Sequence, residues 1–215
     1  MAPFRFYTSS SLTVVTGERA LTVVDLLARL REAPESVIFH HAVNVLEERY
    51  YLTTRYASDF ATWAAAHLDL PTLAEQLAAV DPRDYPTVAA LKEAILRVLA
   101  AFVEAEPGAA YREARRPFFL CRAQRVVMAT PYVATDLASF AEALRQVSPR
   151  SIGYHFIEAR LTRGLAVNDF SAWLRTLPDG AALAQAVDRI DLYTNTLETI
   201  RAQILRLVEG KGGRA

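Results

Sequence analysis

Two histidines in this chain stand near carboxylates at spacings that suit one helix face. His155 and Glu158 are three residues apart in "YHFIEAR" (154–160), and His40 and Glu47 are seven apart in "FHHAVNVLEER" (39–49). At about 3.6 residues per turn, both separations align imidazole and carboxylate on one side of an α-helix. A histidine beside a carboxylate is a candidate general base, or a metal ligand through its free nitrogen. The same spacing also suits a polar stripe on a half-buried helix, each group hydrogen-bonding its neighbours, and the residues leave both readings open.

Downstream of each histidine come an acid and two aromatic residues, Asp59-Phe60-x-x-Trp63 and Asp169-Phe170-x-x-Trp173. An acid at a helix start complements the helix dipole, and Phe and Trp at i, i+3 form one anchoring face. The functional alternative has each aspartate orienting a histidine, with tryptophan walls suited to a sugar or nucleotide ring in one groove. The candidate groove is therefore His40, Glu47, Asp59, Trp63, His155, Glu158, Arg160, Asp169 and Trp173. Arg49 and Arg160 follow their glutamates at i+2, off the carboxylate face, where a local solvent contact is expected. His41 and His67 align with Phe156 and Leu177 and are read as surface or interface residues.

Other chemistries find little to work with. The chain has four histidines and one cysteine, with no C-x-x-C, H-E-x-x-H or EF-hand loop. Its single His-x-x-Glu runs opposite to the Glu-x-x-His pairs of di-metal bundles, so no metal site is expected. There is no G-x-S-x-G, G-x-G-x-x-G or Walker sequence, and no cofactor is expected. The one basic run, Arg112, Arg115, Arg116, Arg122 and Arg125, carries Glu113, and Lys+Arg equals Asp+Glu at 24 each, so nucleic acid is not an expected partner.

What must position these residues is legible as a repeating order of landmarks. Pro34-x-Ser36 recurs at Pro149-x-Ser151, His40 at His155, Asp59 at Asp169, "LAEQLAAVD" (73–81) at "LAQAVDRID" (183–191) and "LKEAILRVL" (91–99) at "IRAQILRLV" (200–208). The offsets drift only from 115 to 109. Capping residues precede apolar-periodic runs at Thr22, Ser36, Ser58, Ser151 and Asn168. "FRFYTSSSLTVVTG" (4–17) and "FFLCRAQRVVMATP" (118–131) are instead rich in β-branched and aromatic residues. The fold expected is mainly α: two pseudo-symmetric helical repeats of about five helices each, with a short β-strand or hairpin before each repeat. Their boundaries are 1–106 and 107–215, the halves sharing one core, the β segments pairing with each other, and the long helices lying near 86–105 and 195–209.

Composition agrees with a globular protein, with 52% apolar and 22% charged residues. A sole cysteine forbids an internal disulfide and fits a cytoplasmic setting. "MAPFRFYTSS" has no apolar run of a secretion signal, and "VAALKEAILRVLAAFVEA" is broken by Lys92, Glu93 and Arg97, so no membrane span is expected.

"LTVVTGERA", "SIGYHFIEARL" and "NDFSAWL" together resemble an uncharacterised prokaryotic family known as a domain of unknown function, over Phe4 to about Val208. His155-Phe156-x-Glu158-x-Arg160 and Asn168-Asp169-Phe170-Ser171-x-Trp173 carry the resemblance most specifically, while residues 39–64 depart from it at His41 and Ser58. The resemblance implies no established activity; its association with genes for sugar-handling glycosyltransferases makes a carbohydrate-linked role an expectation. The sequence reading is a non-catalytic binding or accessory protein, monomer or homodimer, with a protein partner or a small sugar-like ligand. The alternative is an enzyme using a His–Glu/Asp acid–base site on a sugar or sugar phosphate.

Overall fold

A computed structural model describes residues 2–44, 56, 58–191 and 194–212. Two strands, β1 (Phe4–Ala20) and β2 (Phe118–Ala134), each 17 residues long, pair in a two-stranded sheet. The Thr16 hydroxyl donates to the Leu120 carbonyl at 2.6 Å and the Thr130 hydroxyl to the Phe6 carbonyl at 2.8 Å. As one strand advances from Phe6 to Thr16 its partner retreats from Thr130 to Leu120, which is the antiparallel register.

These strands overturn the expectation of helical repeats fronted by short strands or hairpins. Among the described residues 59% are helical and 17% strand, and the paired strands are long and central. Gly17 and Pro131 were expected to end the β segments, yet both lie inside them. In a two-stranded sheet every strand has an unpaired edge, which tolerates a proline without N–H. Gly17 takes φ +85°, a value that costs glycine little. The strands end only at Ala20 and Ala134, both fully buried.

Two compact units make up the chain, one of residues 11–124 and the other of residues 1–10 with 125–215. The division falls inside the strands, between Ser10 and Ser11 and between Gln124 and Arg125.

In the 11–124 unit, Thr22 and Asp25 form a reciprocal capping box at the start of helix Val23–Glu32, whose Val23, Leu26, Leu27 and Leu30 are buried. Glu35–Ile38 runs directly into a π-helical turn, Phe39–Asn44. Ser58 caps Asp59–His67, Pro71–Ala78 follows, and Thr87 caps the long helix Val88–Ala105. Lys92 Nζ donates to the Arg31 and Ala33 carbonyls at 2.9 and 2.7 Å, a cation satisfying a helix C-terminus.

In the other unit, Asp136 and Ser139 cap Leu137–Gln146, and Pro149–Gly153 runs into a second π turn, Tyr154–Glu158, then Ala159–Arg163. Gly164 stops that helix at φ +64°. Asn168 caps Asp169–Leu174, followed by Gly180–Asp188 and by Leu197–Gly212, whose Ile200, Ile204 and Val208 are buried. Among the described residues no helix is long and apolar enough to cross a membrane.

Candidate functional site

His155 is fully buried, with the rings of Phe4, Tyr154 and Phe170 at 4.8, 4.9 and 5.3 Å between centroids. Its Nε2 accepts the backbone N–H of Tyr7 on β1 at 2.8 Å. An amide N–H only donates, so the ring proton sits on Nδ1 and is donated to Asp169 Oδ2 at 2.7 Å. The other oxygen of Asp169 accepts from Arg163 at 2.8 Å. Burial holds His155 below the ordinary histidine value and prevails over the hydrogen bond and charge of Asp169. A second proton, on Nε2, would also set donor against donor at Tyr7.

The 11–124 unit contains the same construction at His41. Its Nε2 accepts the Cys121 N–H on β2 at 2.9 Å, and its Nδ1 donates to Asp59 Oδ2 at 2.8 Å. The rings of Phe118 and Phe60 pack at 4.6 and 5.5 Å. His41 is therefore buried, not the surface or interface residue expected, and it is the histidine that meets Asp59. His40 points elsewhere: it is buried, its ring stands edge-on to His41 at 4.7 Å, and its Nδ1 has no hydrogen-bond partner. Burial, and then the neighbouring His41, hold His40 below its ordinary value.

Glu158 is not hydrogen-bonded to His155. Its carboxylate accepts from the Ser9 hydroxyl and, at 2.9 Å, from Arg125 Nη1. The cause is local: the wider i→i+5 bonding of the Tyr154–Glu158 turn removes the α-helical alignment of residues three apart. Trp63 and Trp173 are both buried and donate to backbone carbonyls, Trp63 to Arg116 at 2.8 Å and Trp173 to Ala2 at 3.2 Å. Trp173 also stacks on Phe140 at 5.1 Å. Arg160 is half-buried on Ala159–Arg163, and Glu47 lies outside the described residues.

Each His–Asp pair thus joins a strand amide to the N-terminus of a helix, with both ring nitrogens engaged. Sequence reasoning missed the strand partners Tyr7 and Cys121, the ion-pair partners Arg125 and Arg163, and the role of His41. Only the charge of the two arginines was visible in the residue types. Cavities of about 580 and about 420 Å³ open in the 11–124 unit, the first bordered by Thr16, Glu18, Arg29 and Glu32, the second by Leu70, Gln76 and Phe102. None of the described candidate residues lines either cavity.

A family of unknown function, DUF5752, matches residues 1–209. The solved structure of OrfY from Thermoproteus tenax is similar with a TM-score of 0.79 and 32% sequence identity, over 97% of this chain and 95% of that one. No curated protein matches the chain.

Proposed function

The chain belongs to this DUF5752 family of unknown function, and on that footing we propose that it is a non-catalytic binding or accessory protein. The observation that carries this reading is the engagement of both ring nitrogens of the buried His155 by protein groups. A general base needs a nitrogen within reach of substrate, and His155 instead fastens a strand to a helix. The arrangement weighs against acid–base chemistry at His155 on a sugar or sugar phosphate. Of the two partner classes, a protein is favoured by β2, where Val126, Val127, Met128 and Val133 stay 40% or more exposed. Val126 and Met128, two residues apart, share one face of the strand, and exposed apolar side chains on one face are a mark of interaction surfaces.

Thermal-shift measurement against sugars, sugar phosphates and sugar nucleotides, paired with turnover assays on the same compounds, tests the reading. A flat response without turnover supports a protein partner, and a melting shift without turnover replaces it with a sugar-like ligand. Turnover that a folded His155→Gln variant loses overturns the non-catalytic reading.

A further inference from the structure

We propose that His40, His41 and Cys121 form a binding site for a thiophilic d10 cation of the Zn2+ class, independently of the partner reading above. One ligand atom from each of the three residues lies within 4.8 Å of the others. With Zn–N near ~2.0 Å and Zn–S near ~2.3 Å, ligand atoms around one tetrahedral ion stand under about 4 Å apart, so seating an ion needs closure of about 1 Å.

Three further observations point to a ligand. His40 is 8% exposed and its buried Nδ1 is unpartnered, an uncommon state for a polar atom in a protein interior. His41 already donates Nδ1–H to the Asp59 carboxylate, the outer-shell contact that turns the Nε2 lone pair of a metal-binding histidine toward its ion. Cys121, half-buried and the chain's one thiol, donates its backbone N–H to that nitrogen, and its sulfur lies within 4.8 Å of a ring nitrogen of each histidine.

The His–Asp construction does not itself require these residue types. In the other unit the residue before the histidine is Tyr154 and the strand residue donating to it is Tyr7, and their rings pack at 6.2 Å. The chain's one thiol lies in the 11–124 unit. Two imidazoles and a thiolate select Zn2+ or Cu+ over Mg2+ or Ca2+. On loading, the Cys121 thiol releases its proton to solvent, both imidazoles bind as neutral rings, and His41 Nε2 exchanges the Cys121 N–H for the ion. The fourth coordination position is left for water or an incoming group.

Co2+ and Zn2+ titration of the full chain tests the site. Co2+ should produce thiolate-to-metal charge-transfer absorption saturating at one equivalent, displaced by Zn2+, and Zn2+ should protect Cys121 from alkylation. Cys121→Ser and His40→Tyr, the latter copying Tyr154, should abolish the absorption. Both leave the backbone N–H to His41 in place, and circular dichroism checks their folding. Absence of saturable binding to the wild-type chain, unprotected Cys121, or binding that survives Cys121→Ser overturns the proposal.

Discussion

His155 and Asp169, fourteen residues apart in sequence, share a buried hydrogen bond of 2.7 Å while the opposite ring nitrogen holds the Tyr7 amide of β1. One imidazole therefore joins a strand to the start of helix Asp169–Leu174. Replacing it with alanine strands the Tyr7 N–H and deprives a buried carboxylate of one partner. His155→Ala is expected to cost about 3–5 kcal/mol in urea unfolding. Asp169→Asn keeps an oxygen that accepts from Nδ1 and should cost about 1–2 kcal/mol. Equal losses for the two variants would contradict this assignment.

Acid should weaken the same construction. His155 has a folded-state value lowered by burial, against the charges of Asp169 and Glu158 that raise it and with that of Arg163 that lowers it. The unfolded chain takes up its proton near the ordinary value of about 6.5 while the folded chain does not. Stability is therefore intact above about pH 6.5 and is lost as pH falls below it toward the lowered folded value. The slope approaches about 1.4 kcal/mol per pH unit for this one proton. Urea midpoints across that range should fall, and they should fall less steeply in His155→Gln.

Glu158 and Arg125 form an ion pair at 2.9 Å, the carboxylate side chain only 3% exposed and Ser9 bonded to its other oxygen. Removing the carboxylate with Glu158→Ala should cost about 2 kcal/mol. A double-mutant cycle with Arg125→Ala should return a coupling of at least about 1 kcal/mol. Additive losses would show that the pair is not coupled.

Two glycines make opposite predictions. A Cβ on Gly180 would stand 1.8 Å from the Leu174 carbonyl oxygen, whereas one on Gly108 would meet nothing within 4 Å. Gly180→Ala should destabilise by at least about 2 kcal/mol through backbone displacement. Gly108→Ala, in the short helix Pro107–Ala110, should be neutral or stabilising by up to about 1 kcal/mol. Paired melting curves decide both.

Much of the local structure was legible because it follows from neighbours in sequence. Thr22, Ser58 and Asn168 cap the helices expected of them, and the long helices expected near 86–105 and 195–209 are Val88–Ala105 and Leu197–Gly212. The two β-rich segments do pair, but they run on to Ala20 and Ala134, since neither Gly17 nor Pro131 breaks a strand with a free edge. The recurring His and Asp-Phe-x-x-Trp marked a real relationship for His155 and Asp169. Matching by residue type selected His40 where the backbone uses His41, because what distinguishes them is contact with the Cys121 amide, 80 residues away. The His155–Glu158 face failed for a different reason: it presumed α-helical spacing, and the chain makes a π turn over Tyr154–Glu158.

Nitrogen-15 NMR of the His155 ring tests the central claim most directly, because the tautomer and its exchange report both hydrogen bonds at once. The account predicts a neutral ring protonated at Nδ1 with Nε2 as acceptor, unchanged between about pH 7.5 and about pH 6.5. An Nε2-protonated tautomer, or a ring that becomes imidazolium within that range while the chain stays folded, would contradict it.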